Sequence, residues 1–568
     1  MSVISTLPTT PAPAPSAAPS GPPVVIVGAG PVGMTTALRL ASFGVRSVLL
    51  DVKPHLVRQG SKACLIQGDV LEVLDKVGCA DPIAAEGITW TMARTYVRDQ
   101  QIRAVEHPRR IGYGPFVNIS QYRIEQVLAD AVAADPRCDL RWNHEVTAVA
   151  QDGDGVTLTV RTPDGEQAVH ARYVVAADGV RSPMRSLVGV EWTGYSHADR
   201  FLITDVRAQL PLAKERHFHY DPSFNPGRQV VMHPQPDDVW RIDWQLPPDA
   251  DIEAERADGR LDERVRRVIG DVPYELDWMS VYRFHQRVVA RFVVGRVLFA
   301  GDAAHSLPPY GSRGMNSGIQ DADNLAWKLA LVLRGGAAPG LLETYHDERY
   351  AAARENLAVT EATIRFMVPP SRLRRTARRV LLALSHRLRA ARDRVNSGRM
   401  AEPYVYTDSP IVARPGPGDT LTGSFAPDTW LDVEGRRVRL RRLLGAEFVV
   451  LVAAPDAALA AALVTQVQES PSPVPLRCVV VLPPEAPLDG ADALPADVAV
   501  ARAQDAALLD TLAAGNGRWW LVRPDGHLAA SGDATTGTAA VAAALHTAVG
   551  ATAPPVGAIA SSAEGDHR

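Results

Sequence analysis

Apolar runs and polar breaks alternate along most of the chain and predict its order of elements. Val24-Val25-Ile26-Val27 is a short β-branched run that suits a fully buried parallel strand. It leads into Gly28-Ala29-Gly30-Pro31-Val32-Gly33. After it Met34, Ala37, Leu38 and Ala41 recur at helical spacing, and Gly44 stands at the C-terminal cap. A second run, Val45 to Leu50, closes on Asp51. Two further buried-strand runs follow, Tyr173 to Ala177 ending in Asp178-Gly179, and Arg296 to Ala300 ending in Gly301-Asp302. Between them, residues 190–285 alternate β-like segments such as Phe201 to Val206 and Val239 to Trp244 with turns. After Asp302 the loop from Pro308 to Gly318 is rich in Gly and Pro. A long amphipathic helix then begins, with Leu325, Leu329, Val332 and Leu333 on one face.

The first of these units carries chemistry. A strand, a GxGxxG turn, a helix and a second strand ending in an acid form a βαβ dinucleotide signature. Gly28 allows the tight turn, Gly30 lets backbone approach a pyrophosphate, and Gly33 permits close helix–strand contact. The helix N-terminus offers unpaired N–H donors to phosphates, and Asp51 can accept from an adenosine ribose. NAD and FAD both satisfy this much.

Composition removes other classes. A formal net charge of −4 and a pI near 6.4 give no reason to expect nucleic acid or an anionic membrane as partner. Cys64, Cys79, Cys138 and Cys478 are widely spread without a CxxC pair, which argues against a disulfide framework, a zinc site or a dithiol centre. No metal is expected, and a reducing, cytoplasmic location is. Residues 1–23 are rich in Pro, Ala, Ser and Thr, and no charged side chain precedes Arg39, so they read as a disordered tail. No run of about 18 apolar residues predicts a membrane span.

The segment from Gly295 to Lys328 includes GDAAH, a double proline, GMNSG and DADNLAWKL. With the GxGxxG and the Asp-Gly at 178–179, it resembles the class A aromatic-ring FAD-dependent monooxygenases, which include para-hydroxybenzoate, phenol and 3-(3-hydroxyphenyl)propionate hydroxylases. The resemblance covers roughly residues 24–400. It implies that Asp302 binds flavin-side ribose or ribitol hydroxyls, with Gly301 giving close approach. Backbone at Gly314, Met315 and Asn316 would meet the flavin ring, and Pro309 would belong to the same loop. Asp178 would support both the FAD pyrophosphate region and nicotinamide binding, and Gln121 sits where relatives place an FAD-contacting glutamine. Pro31 and Val32 complete the first turn. One departure stands out. Many relatives carry Gly-Gln-Gly where this chain has Ser312-Arg313-Gly314, so Arg313 is expected to alter the electrostatics over the flavin.

The resemblance further implies a fold: a Rossmann-like FAD domain interleaved with a mixed-sheet substrate domain, mainly 190–285, within 24–400. A linker at 401–420 and a thioredoxin-like α/β domain at 421–550 would follow, then a second disordered tail at 551–568. For that last domain a packing or homodimer role is the expectation. The activity implied is hydroxylation of a small aromatic, phenolic substrate with NADH or NADPH and dioxygen, through a flavin hydroperoxide. The alternative is flavin oxidoreduction without aromatic hydroxylation, as an oxidase, a dehydrogenase or a Baeyer–Villiger-type oxygenase. A cofactor-stabilised scaffold is the non-enzymatic reading. No catalytic base is identified. His217 and His219 alternate onto one face beside Tyr220, so His219 and Tyr220 are candidates for a proton relay; histidines on a solvated sheet face are the simpler reading. Tyr282 and His285 are weaker candidates. The arginine-thick stretch 371–394 reads as one helix with a solvated or intramolecular face.

Overall fold

Four apolar runs too β-branched for helix become neighbouring parallel strands in the computed structural model. Residues 24–57, 63–109, 111–367, 369, 371–395, 400, 402–416, 419–486, 494–495 and 498–550 are described; the two tails expected at 1–23 and 551–568 lie outside them. The first sheet runs Val293–Val294, Val297–Phe299, Val174–Ala176, Val24–Val27, Ser47–Asp51, Cys138–Trp142. Val25 lies opposite Val174 on one side and Val48 on the other, and Val174 lies opposite Val297. The three strands that carry GxGxxG, Asp-Gly and Gly-Asp are therefore adjacent, and being parallel they end on one edge. This is the position where open α/β sheets bind ligands.

An eight-stranded sheet follows: His305–Ser306, Glu275–Val289, Trp192–Arg207, Val239–Leu246, Gln229–Pro234, Arg216–Tyr220, Met92–Val97 and Gln100–Glu106. It is antiparallel except where Arg216–Tyr220 pairs with Met92–Val97. Two of its strands thus come from well before residue 190. Alternation gives it two chemically different faces. Leu202, Val206, Val230, Met232, Trp240, Ile242 and Trp244 form one core with Ile252, Leu261 and Val265 of helices Ile252–Ala257 and Arg260–Ile269. The opposite face carries Asp205, Arg216, His233, Arg241 and Asp243.

The helix expected after Gly318 begins earlier, spanning Arg313–Leu333. Gly314 and Gly318 look like loop residues, yet Gly318 is glycine for packing. A Cβ there would stand 2.6 Å from Val32 Cγ2 and 3.0 Å from the Gly301 Cα. The arginine-rich stretch is also corrected, from one helix to two, Arg372–Leu384 and Arg389–Asp393.

The chain divides into two compact units, the second holding Leu331–Thr344 and the described residues from Val405. Within it, a seven-stranded sheet has Phe448–Ala453, Leu476–Leu482 and Ala499–Ala503 parallel at its centre, with Arg518–Val522 and Leu528–Asp533 antiparallel beside them. Helices Ala457–Gln468 and Gly537–Ala548 accompany this sheet.

Candidate active site

The first turn is built by sterics. Gly28 has φ +105°, and a Cβ there would lie 2.4 Å from the Ala177 carbonyl oxygen and 2.9 Å from the Asp178 Cα. A Cβ on Gly33 would lie 1.9 Å from the Gly28 oxygen. Gly30 differs: no protein atom lies within 4 Å of where its Cβ would stand. The first two glycines serve the protein's own packing, and Gly30 faces open space. Helix Pro31–Ser42 begins there without a side-chain cap, so the N–H groups of Val32 and Gly33 lack intrahelical acceptors. Together these form a cradle that fits a pyrophosphate.

Asp51 is buried and accepts from the Ala29 N–H at 2.8 Å and the Lys53 N–H at 2.9 Å. It holds the loop while keeping lone pairs for a ribose hydroxyl. Asp178 Oδ2 accepts from the Met184 N–H at 3.1 Å, whereas its buried Oδ1 has no partner among the described residues. Burial raises the Asp178 carboxyl above the usual range. A buried oxygen without a donor costs about 1–3 kcal/mol, which a ligand hydroxyl would offset.

The third strand end meets the second helix. Gly301, at φ +60°, packs against Val32, and its N–H donates to Asp321 Oδ2 at 3.0 Å. Asp302 is exposed, and its Oδ1 lies 3.8 Å from where a Gly314 Cβ would stand. The Ser312 N–H donates to the Pro309 oxygen at 3.0 Å, turning the chain into helix Arg313–Leu333. Gly314, Met315 and Asn316 therefore present first-turn N–H groups, the arrangement that suits an electron-rich flavin edge. The Asn316 side chain is occupied: Oδ1 accepts from the Gln67 N–H at 2.9 Å, and Nδ2 donates to the Leu65 oxygen at 3.1 Å. It ties this helix to strand Leu65–Gln67. Gln121 begins helix Gln121–Ala134 and donates from Nε2 to Glu125 at 2.7 Å.

Several residues of this site escaped the sequence reading. Arg185 donates to the Val180 oxygen at 2.6 Å and the Ala303 oxygen at 3.0 Å, bridging the Asp178 and Asp302 turns while its guanidinium stacks 3.7 Å over Trp192. Asp321, fully buried, meets His305 Nε2 at 2.6 Å and accepts from Arg349 Nε at 2.6 Å. Burial pushes its carboxyl up, but His305 and Arg349 more than offset this and leave it lowered. His305 is thus a packing and pairing residue, stacked on Phe292. Asp323 joins Arg39 and Lys76, and Glu348 joins Asn324 and Lys328. The polar residues of DADNLAWKL therefore clamp helices together. The available signal was the set of charged and amide residues, Asp321, Asp323, Asn324 and Lys328, inside an otherwise apolar helical run.

Arg313 is buried and bonds Asn356 and the Met400 carbonyl oxygen, so its charge is engaged by the protein. His219 and Tyr220, being consecutive in a strand, face opposite sides of the sheet. His219 stacks on Tyr96 at 4.5 Å and meets Phe224 edge to face, and burial lowers its pKa to about 4. Tyr96 also bonds His217 Nδ1 at 3.2 Å. The two histidines do share a face, but it is not solvated: His217 is buried and burial holds it neutral. Tyr220 packs instead with Phe218 in the aromatic cluster of Phe201, Phe284 and Tyr310, and burial raises its phenol far above the usual range. The two are not brought together as a relay. His285 lies near the edge, bonded to Ser196 Oγ at 2.8 Å.

A cradle for a dinucleotide along three strand ends, facing an aromatic and polar sheet surface, defines a flavoprotein of the aromatic-hydroxylase type. The FAD binding domain family model matches residues 22–360, and the chain belongs to that family. It is 31% identical over 435 residues to the 3-(3-hydroxy-phenyl)propionate/3-hydroxycinnamic acid hydroxylase of Burkholderia cenocepacia (strain HI2424), covering 75% of this chain and 78% of that one. It is 30% identical to the para-nitrophenol 4-monooxygenase of Pseudomonas sp. (strain WBC-3), covering 57% and 82%. Among solved structures, the flavin-dependent monooxygenase PieE, determined with FAD and substrate, superposes with TM-score 0.76 at 22% identity, over 93% of this chain and 100% of that one, and shares its fold. The chain is an FAD-dependent monooxygenase.

Proposed function

We propose that the protein hydroxylates a phenolic ring, with NADH or NADPH as reductant and dioxygen as oxidant. FAD, when bound, supplies hydride acceptance and oxygen activation. The chain's own residues bind, orient and exclude water. Gly30, Pro31, Val32 and Gly33 would hold the pyrophosphate through backbone, Asp51 the adenosine ribose, and Asp302 the flavin-side hydroxyls. Gly28 and Gly301 would keep these turns closely packed, with Asp178 and Gln121 in support. Pro309, Gly314, Met315 and Asn316 would border the flavin ring. The phenolic class is supported by the substrates named in the two curated relatives.

The single observation that carries the reading is the coexistence of two features at one strand edge. Gly30 opens on empty space above a helix N-terminus, and Asp178 Oδ1 is buried without a donor. Aromatic residues Phe201, Phe284 and Tyr310 supply the dry wall that hydroxylation needs, since water favours wasteful release of hydrogen peroxide. For the carboxy-terminal unit, its central parallel strands flanked by antiparallel ones support a thioredoxin-like domain with a packing or dimerisation role. Among the described residues no helix is long and apolar enough to cross a membrane. Cys64, Cys79, Cys138 and Cys478 are free thiols.

The purified protein should carry FAD, and phenols should accelerate NAD(P)H oxidation while giving a product heavier by one oxygen. Hydrogen peroxide as the sole product across a broad panel of phenols would favour the oxidase alternative. Asp302→Ala should purify largely without FAD; full occupancy would remove Asp302 from the site.

A further inference from the structure

The inner face of the eight-stranded sheet holds an unbalanced set of charges. Arg241, fully buried, sits between two carboxylates. It spends Nε and Nη2 on Asp205, at 2.8 Å and 2.7 Å, in a bidentate pair. Asp243, two residues along the same strand, receives no such pair. Its Oδ1 is sealed from solvent and has no hydrogen-bond partner among the described residues. Across the sheet it lies opposite Val231 on one side and Ile203 on the other, neither of which can donate. Around it Gln229 Oε1, Gln235 Oε1, His233 Nδ1 and Arg241 Nη1 are likewise buried without partners. Each such atom costs about 1–3 kcal/mol when nothing meets it. Four on one face of one sheet, with Gln235 just past the strand end, mark a place where a polar ligand belongs.

The same face adjoins the segments assigned to the flavin. Gln229 Nε2 donates to the Tyr310 hydroxyl at 2.7 Å, and Tyr310 follows the double proline. Gln235 Nε2 donates to the Cys64 oxygen at 3.1 Å; Cys64 leads into Leu65–Gln67, which Asn316 grips. A ring seated here would have the aromatic group of Phe201, Phe284 and Tyr310 on one side and Asp243 on the other.

We propose that Asp243 is the proton acceptor for the substrate hydroxyl, a reading that rests on phenol hydroxylation as proposed above. The phenolic O–H bond breaks, a new O–H bond forms on Oδ1, and the electron pair stays on the phenol oxygen, where it enriches the ring toward an electrophilic oxygen. No other reactant is needed for that step. The groups facing Asp243 are Arg241, Arg216, Asp205, His233, Tyr282 and Cys64. Burial and Asp205 push its carboxyl up, Arg241 and Arg216 pull it down, and it settles at about 7. Burial keeps Cys64, at about 12, and Tyr282, well above the usual range, protonated, and His233 neutral, so none of these competes as an anionic base. A base near neutrality is the most effective at physiological pH.

The test uses FAD-loaded protein, a phenol that the unsubstituted enzyme hydroxylates, and ring-fluorinated analogues with progressively more acidic hydroxyls. Asp243→Asn should lower hydroxylation of the parent phenol about 100-fold or more at pH 7. The deficit should shrink below about tenfold for the most acidic analogue, which ionises unaided, and the rate should recover as pH approaches each phenol's own ionisation. Asp243→Ser should behave the same way. A loss equal across the series, or one that high pH fails to relieve, overturns the assignment, because a structural role would produce it. Loss of FAD from both variants also overturns it. If the unsubstituted protein hydroxylates no phenol, the preceding functional reading falls and takes this with it; failure confined to the variants leaves that reading standing.

Discussion

The nucleotide edge of the first sheet and the inner face of the eight-stranded sheet both prepare a place for a ligand, but they use different atoms. At the edge the recognising groups are backbone N–H donors and the space that glycines leave. On the sheet face they are side chains, Arg241, Asp243, Gln229 and His233 from two adjacent strands, with Gln235 just past the end of one of them. Backbone recognition demands particular residues at fixed offsets, because one Cβ closes the site. Side-chain recognition demands only that a polar group reach the right point, which many sequences can achieve. The first kind of site therefore resists change at single positions, and the second can be retuned to new rings.

The sharpest way to break this contrast is a pair of glycine substitutions. Gly33→Ala would put a Cβ 1.9 Å from the Gly28 oxygen, so helix and strand must separate. We expect protein without measurable FAD and with reduced thermal stability. Gly30→Ala meets no protein atom and should leave the melting temperature of FAD-free protein within about 0.5 kcal/mol equivalent of the unsubstituted chain. It should still weaken FAD binding about tenfold or more by occupying ligand space. Equal FAD affinity in Gly30→Ala, by fluorescence titration, would place the pyrophosphate elsewhere.

Asp321→Ala comes next. It strands the Arg349 guanidinium, which also donates to the Ser317 oxygen at 3.1 Å, and removes the acceptor for the Gly301 N–H. Breaking one member of a buried ion pair costs about 3–5 kcal/mol, readable in denaturant unfolding. Arg185→Lys is milder. Lysine keeps the charge but not the fork that bridges Val180 and Ala303, so FAD affinity should fall about tenfold with stability nearly unchanged. A change in stability without a change in affinity would make Arg185 a fold residue alone.

The same contrast explains what could be read in the sequence. The three strand ends were legible because each motif couples a β-branched run to a glycine or acid at a fixed place. The start of helix Arg313–Leu333 was not, since Gly314 and Gly318 signal a loop locally while Val32 and Gly301, far away in sequence, require the missing side chain at Gly318. Arg185 was illegible for a related reason: its partners are carbonyl oxygens, which leave no trace in residue identity. His217 and His219 were placed on one face correctly by alternation. Their burial depends on Tyr96, from a strand more than a hundred residues earlier that pairs alongside. Asp243 sits in Val239–Leu246, where alternation with Trp240, Ile242 and Trp244 looks like an ordinary half-exposed strand. Only the second wall, beginning at Cys64, turns its polar face inward.

The two faces of that sheet should also titrate in opposite directions, and this is the smallest effect expected. Burial holds His219 at about 4, below the ordinary 6.5 of an unfolded histidine, so its contribution is fully present above about pH 6.5 and lost as pH falls toward 4. Asp243, raised to about 7 from an ordinary 3.8, acts the other way: the fold prefers its neutral form, so this contribution declines as pH rises from about 4 to 7. Each kcal/mol moves a domain's melting temperature by roughly 2–4 °C. His219→Phe, which preserves an aromatic partner for Tyr96, should therefore reduce by a few degrees the drop in melting temperature between pH 7 and pH 5. Asp243→Asn, lacking the opposing carboxyl, should make that drop larger. Parallel shifts in both variants would mean that the outer histidines and the inner carboxylate do not sit in the separate environments that the alternation of this strand pair creates.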